Sequence, residues 1–254
     1  MQDYQTIRVK FDGPICTLQI YRPDANNTID HTLAEECLDV LRRYRDQINV
    51  IVVEGLPEVF CFGADFHGIE RDISSGDART QDPEMLYNFW LDLATGPFIS
   101  IAHVRGKANA GGMGFVAACD VVLADETAVF SLSELLFGLM PACVLPFLIR
   151  RVGFQKAHYM TLMTQPISVQ KAEAWGLVDA WEANSDGILR KHLLRLRRLS
   201  KKGIARYKSY MAEIDNSLLS SKTKALAANL EVFSDTENLN RIARYVQTGA
   251  FPWE

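Results

Sequence analysis

The chain has 254 residues, 48% of them hydrophobic, and its 27 Lys and Arg against 31 Asp and Glu give a formal net charge of -4. That length and apolar content suit one large domain, or one domain with a small appendage, and the slightly acidic balance argues against a general nucleic-acid binder, which needs a basic field. The five cysteines (Cys16, Cys37, Cys61, Cys119 and Cys143) are odd in number and scattered, with no CxxC and no Cys/His cluster, so neither a zinc site nor a disulfide framework is expected.

Reduced, mostly buried thiols of a cytoplasmic protein are the expectation instead. The opening MQDYQTIRVKF lacks the basic and apolar regions of a secretory signal. The longest apolar runs, such as CVLPFLI, fall well short of the ~20 residues that span a bilayer, so no membrane partner is expected.

YQTIRVKF and ICTLQIY are β-rich and separated by Asp12-Gly13-Pro14, which predicts a hairpin. Residues 32–46 place Leu33, Cys37, Leu41 and Tyr44 on one helical face, and Thr32 followed by Glu35 fits a capping box. INVIVVEG is then a short buried strand. The polar stretch DISSGDARTQDPE (72–84) is expected to be turn-rich and mobile. A helix follows, with Met85, Leu86, Phe89, Trp90 and Leu93 as its apolar stripe. FISIAHV is the next strand, and NAGGMG (109–114) turns it into a helix. DVVLADE and AVFSL are two further short strands, and everything after Pro141 is expected to be helical. Ser168 can cap a helix ending at Trp175 with Gly176 just beyond it. LLRLRRLSKKGIARYK (193–208) is basic and amphipathic; it is either a solvated helix face or a patch for an acidic partner. No internal repeat or low-complexity segment interrupts the chain.

Two backbone-rich turns stand out, FCFGADF (60–66) and NAGGMG (109–114), each at the end of a strand and opening a helix. Backbone N–H groups at a helix start have no intrahelical partner, and the dipole there favours an anion. Two such turns from neighbouring strands can aim two N–H groups at one oxygen, which is an oxyanion hole. Neither turn is a GxxxxGK[ST] or GxGxxG phosphate loop, and there is no GxSxG elbow. Between Lys107 and Asp120 the only titratable group is Cys119, so any proton-transfer group must come from elsewhere in the chain.

RPDANNTID, VFCFGADF, VRGKANAGGMGFVAACDVVLADETAVFSLSELLFGLMP and KAEAWGLVD, in this order over roughly residues 5–180, resemble the crotonase superfamily of enoyl-CoA hydratases and isomerases. The resemblance implies an α/β spiral of ββα units over residues 1–199 and a helical trimerisation region over 200–254, assembled as a trimer or a dimer of trimers. It implies an acyl thioester whose carbonyl oxygen is held by the N–H groups of Phe62 and Gly111, with no metal or other cofactor. Of the two glutamates that hydratases of this family use, the first aligns with Gly114, where there is no carboxylate. The second aligns with Glu134 and is present.

The resemblance further assigns Ala25, Ala64, Asp65, Asn109, Gly112, Gly114 and Cys143 to the substrate pocket. Asp65 is also a natural cap for the helix it opens. Asn109 either touches substrate or bonds its own turn, and Cys143 either lines the acyl pocket or fills core. His67 stands where the family often has a lysine, while His103 and His158 are expected to be structural.

More narrowly, EGLPEVFCFGADF, FSLSELLFGLMPACVLPFLIRRVG, QKAHYMTLMT and TGAFPWE look like the dehydratases of polyketide β-branching cassettes, which convert 3-hydroxy-3-methylglutaryl on an acyl carrier protein to 3-methylglutaconyl. The alternatives are a short-chain enoyl-CoA hydratase, the sister decarboxylase of such a cassette, and a non-catalytic or RNA-binding relative.

Overall fold

Residues 3–75 and 82–254 are described by a computed structural model. The hairpin β1 (Ile7–Asp12) and β2 (Ile15–Ile20) forms as its sequence requires. Helix α1 (His31–Tyr44) follows, then β3 (Val50–Glu54), β4 (Val59–Cys61) and α2 (Phe66–Ser75). Next come α3 (Pro83–Thr95), β5 (Ile99–Val104), β6 (Lys107–Asn109), α4 (Gly112–Ala118), β7 (Val121–Asp125) and β8 (Val129–Ser131). A short 3₁₀ turn, Glu134–Phe137, precedes α5 (Leu145–Val152), α6 (Phe154–Met163), β9 (Ile167–Ser168), α7 (Val169–Ala174) and β10 (Ala180–Glu182). The chain ends with α8 (Asp186–Leu196), α9 (Lys201–Ile214), α10 (Ser217–Ser234) and α11 (Thr236–Thr248).

Two sheets result. The larger runs β1-β2-β3-β5-β7-β10, parallel except for the hairpin; the smaller runs β4-β6-β8-β9. Three times the chain passes from a strand of the larger sheet to one of the smaller, β3 to β4, β5 to β6 and β7 to β8. The first two passages lead into helices α2 and α4, and the third into the 3₁₀ turn. This α/β spiral sets the turns after β4, β6 and β8 side by side.

The central strands β3 and β5 of the larger sheet are buried on both faces, as parallel strands between helices usually are. Alternate residues go to opposite sides. Ile51 and Val53 join the main core with α1, α3 and α4, while Val50 and Val52 pack with Ile101, Leu123 and Ile188 beneath α8.

Several elements differ from the sequence expectation. The α1 cap is Asp30, whose carboxylate accepts from the Leu33 N–H at 2.8 Å, so Thr32 lies inside the helix. Asp30 wins because it sits one residue before the first helical position. Strands β9 and β10 were not expected: two and three residues are too few to show a period, and their pairing with β8 and β7 makes them. Of the polar stretch, residues 72–75 continue α2, and Asp82 caps α3 through the Glu84 N–H. The stretch expected to be turn-rich over 72–84 is therefore helical at both ends, and its remainder, residues 76–81, lies outside the described residues. His158 is exposed and stacks on Phe154, so it is a surface residue.

Of the last three helices, α9 packs on α3, α10 joins the main core and α11 closes a separate cluster. Lys208 of α9 is buried and pairs with Asp120. Leu218 and Ala225 of α10 are core residues, with the Tyr87 hydroxyl donating to the Leu218 carbonyl at 2.6 Å. Helix α11 lies over α2 and the 3₁₀ turn, closing a second cluster around Phe137, Ile69 and Ile242. Among the described residues no helix is long and apolar enough to cross a membrane.

Candidate active site

The turns after β4 and β6 touch. Gly63 has φ +94°, and a Cβ built there would lie 2.7 Å from Ala110 Cβ and 3.4 Å from the Gly111 nitrogen, so only glycine fits. Gly111 is the N-cap of α4. Phe62 precedes Gly63 directly, and so the two N–H groups expected to hold an oxyanion, those of Phe62 and Gly111, belong to abutting turns.

A third segment holds this pair. The Ile29 N–H donates to the Gly63 carbonyl at 2.7 Å, and the Asp65 N–H donates to the Ile29 carbonyl at 3.0 Å, framing a short bridge between Ile29 and Ala64. Asp65 is buried; one carboxylate oxygen accepts from the Gly68 N–H at 3.0 Å, capping α2, and the other pairs with Arg22 at 3.0 Å. Arg22 also reaches Asp30 at 2.9 Å. Asn27, fully buried, donates to the carbonyls of Ile20, Val59 and Phe60 and accepts from the Arg22 N–H. Ala25 ends the 3₁₀ turn of this same loop, and its carbonyl accepts from the Thr28 N–H. Arg22 and Asn27 hold the turn after β4; their segment, RPDANNTID, was marked only as part of the resemblance, with no role for either residue, and both Asn26 and Asn27 have φ +51°.

Asn109 ties the second turn to a third. Its amide nitrogen donates to the Phe62 carbonyl at 3.3 Å and the Ser133 hydroxyl at 2.9 Å, and its oxygen accepts from the Ser131 hydroxyl at 2.7 Å. Both ends of the amide bond within the protein, which is the local one of the two roles open to Asn109. That bracket fixes the residue just before Glu134.

Glu134 opens the 3₁₀ turn. Its Oε2 is shut off from solvent and has no hydrogen-bond partner. Burial pushes its pKa up to about 7, partly offset by the backbone N–H groups of Glu134 and Ser133 bonding the carboxylate. A carboxyl group poised near neutrality can both take and return a proton.

Several residues expected in the pocket also make close packing contacts. Gly112 lets α4 lie against β4, since an added Cβ would sit 3.1 Å from Cys61 Cβ and against the Cys61 backbone. Gly114 faces Trp90: a Cβ there would fall 2.5 Å from indole Cε2. The place where a first glutamate would project is therefore filled by an indole, not merely left without a carboxylate. Cys143 is buried, with its thiol directed to the Ala225 carbonyl of α10 at 3.7 Å, which places it in the core. His103 is a hydrogen-bonded core histidine, with Nδ1 3.2 Å from Glu54 and Nε2 2.7 Å from the Ser185 hydroxyl. His67 is exposed on α2. The basic 193–208 stretch belongs to the opposite end of the larger sheet. Lys201 donates to the carbonyls of Arg45 and Ile48, just before β3 begins, whereas the site lies beyond the strands' far ends. Two of its lysines, 201 and 208, are structural.

Comparison with known proteins places this geometry in context. A family model described as enoyl-CoA hydratase/isomerase matches residues 10–254. The bacillaene synthase dehydratase PksH of Bacillus subtilis (strain 168) is 60% identical over 252 residues, 99% of this chain and 97% of the relative. The crystal structure of a B. subtilis protein described as a polyketide biosynthesis enoyl-CoA hydratase superposes with TM-score 0.96 at 59% identity, covering 98% of this chain and all (100%) of that one. An enoyl-CoA hydratase/isomerase from Mycobacterium paratuberculosis, 21% identical, shares the fold with TM-score 0.86 over 96% of this chain and 100% of its own.

Proposed function

The chain belongs to the enoyl-CoA hydratase/isomerase family, the crotonases, and from that premise we propose that it dehydrates 3-hydroxy-3-methylglutaryl, carried as a thioester on an acyl carrier protein, to 3-methylglutaconyl. The observation that carries this reading is an unpaired carboxyl oxygen, Glu134 Oε2, shut off from solvent on the turn that Asn109 ties to the two abutting N–H turns, whereas the buried Asp65 is paired with Arg22, and Trp90 closes the place of a second carboxylate. The 60% identity to a polyketide dehydratase supports the same reaction class.

In this mechanism the thioester oxygen accepts from the Phe62 and Gly111 N–H groups. Ionised Glu134 takes the proton from C2, and the electron pair moves into the thioester as an enolate, which the two N–H groups stabilise. The pair then returns to form the C2–C3 double bond. The C3–O bond breaks, and Glu134 gives the proton to the departing hydroxyl, releasing water and recovering its carboxylate. One group serves both transfers if the proton and the hydroxyl leave from the same face. Arg22, Asn27, Asp65 and Asn109 hold the three turns in register.

Assembly as a trimer or dimer of trimers, with residues 200–254 contributing, is part of the same proposal. Exposed Phe154, Leu162 and Met163 along α6 support such an interface, being more apolar than a solvated face needs. The buried thiols fit the reducing cytoplasm.

Intact-protein mass spectrometry tests the reaction. A carrier loaded with 3-hydroxy-3-methylglutaryl should lose one water when the protein is added. An unchanged mass, on the carrier and on the CoA thioester alike, would sink the reading.

A further inference from the structure

Among the described residues, three buried side-chain polar atoms have no hydrogen-bond partner: Trp90 Nε1, Glu134 Oε2 and Arg105 Nε. Arg105 belongs to a guanidinium that reaches Glu54 through Nη2 at 3.6 Å. The other two flank the first turn of α4. At its start, Ala110 bonds the Ser131 carbonyl and Asn109 bonds the Ser133 hydroxyl, which holds the residue before Glu134 there. One turn on, Gly114 faces the benzo edge of the Trp90 indole, where an added Cβ would meet Cη2, Cζ2 and, at 2.5 Å, Cε2, the carbon bonded to Nε1. Gly111 and Gly114 are joined by a hydrogen bond of 3.0 Å and are separated by about 4.5 Å of helix rise. Phe115 and Phe147 wall the indole, with ring centroids at 5.7 and 5.9 Å, and neither offers an acceptor.

The two orphans are complementary. Trp90 has only a donor; Glu134 Oε2, when ionised, is an acceptor. They do not bond each other. Native proteins leave few buried polar groups unpaired, because each forfeits its hydration. A ligand hydroxyl satisfies both at once, accepting from an N–H and donating to a carboxylate.

We propose that Trp90 Nε1 and Glu134 Oε2 form a seat for the substrate's C3 hydroxyl, in which the indole N–H donates to the hydroxyl oxygen and stays with it as the C3–O bond breaks. This rests on the β-hydroxyacyl reading above. It makes the indole a contact for the leaving group, occupying the space that Gly114 vacates, and it selects substrates bearing oxygen at C3 over their deoxy counterparts.

The test compares 3-hydroxy-3-methylglutaryl thioester as substrate with 3-methylglutaryl thioester, its 3-deoxy analogue, as competitive inhibitor. Trp90→Phe keeps an aromatic ring between Phe115 and Phe147 but removes the N–H. It should lower kcat/KM for the hydroxyacyl thioester about tenfold or more, the worth of one hydrogen bond, and leave the inhibition constant of the deoxy analogue within about twofold. A parallel loss of both, or no loss of either, overturns the assignment; a purely structural role for the ring moves both. Should Trp90→Phe fail to fold, wild-type protein labelled with ¹⁵N in its tryptophans decides. The Trp90 indole N–H resonance should move on saturation with the hydroxyacyl thioester and not with the deoxy analogue, and an unmoved resonance overturns the seat. A wild-type enzyme that removes no water overturns the function instead, so the two failures are distinct.

Discussion

The proposed mechanism concentrates the chemistry in one side chain, Glu134, whose cost the fold carries. Burial holds its carboxyl pKa at about 7, above the ordinary 4.5, so between those values the folded protein keeps a proton that the unfolded chain has released. Stability therefore falls as pH rises through that window and levels off above it. Glu134→Gln cannot ionise: it should be more stable than wild type at pH 8, by up to about 3 kcal/mol, and lose that advantage near pH 5, as urea unfolding at the two pH values will show. The same substitution should lower kcat by about 10³–10⁴ if, as proposed, one group does both proton transfers. In deuterated water the wild type should wash label into C2 of the substrate, and Glu134→Gln should not. Gly111 holds φ −56°, inside proline's range. Gly111→Pro should then cost about 10²–10³ in kcat through one lost oxyanion donor, and a folded variant near the wild-type rate would remove Gly111 from the hole. Glu134 and the two glycine turns were legible because motif residues declare themselves. Trp90 was not: on α3 it reads as one more residue of an apolar stripe, and only the packing of α3 on α4 puts its ring over Gly114.

At the scale of elements, the loop between β2 and α1 holds the turn after β4. Arg22, Asn27 and Ile29 reach it from 32 or more residues away in sequence, which no local pattern reveals. The hairpin, α1, β3, β5, β7 and the Ser168-capped helix could all be read from period and capping, since their signals are local. Strands β4, β6, β9 and β10 have two or three residues each and exist because neighbours pair with them. Asp65 belongs to both worlds, as a local cap and a distant ion-pair partner. Asp65→Asn should cost about 1–3 kcal/mol, softened because Arg22 keeps Asp30, and kcat should fall less than tenfold. Unfolding curves and initial rates measure the two effects separately. If instead Asp65→Asn is folded and inert while Glu134→Gln stays active, the proton transfers belong to Asp65 and the mechanism above is wrong.

For the whole molecule, the C-terminal helices are part of the site's scaffold. Phe137 closes the 3₁₀ turn that Glu134 opens. It packs edge to face on Phe66 of α2 at 5.1 Å and on Tyr245 of α11 at 5.1 Å, with Phe251 beyond at 6.2 Å. Helix α11 thus braces, through one phenyl ring, both the turn that bears Glu134 and the helix α2 that follows the Phe62 turn. Loss of that brace should show in rate as well as stability, because a carboxyl group displaced by about 1 Å costs catalysis heavily. Tyr245→Ala should lower stability by about 1–3 kcal/mol and kcat by an order of magnitude or so, with a smaller change in KM, since nothing here places Tyr245 against substrate. Tyr245→Phe keeps the ring contact and should restore both quantities. Thermal unfolding and steady-state kinetics on the pair decide the matter. If Tyr245→Ala is destabilised yet keeps full kcat at a temperature where it stays folded, α11 serves stability alone, and Glu134 is positioned by the Asn109 bracket without help from the C-terminus.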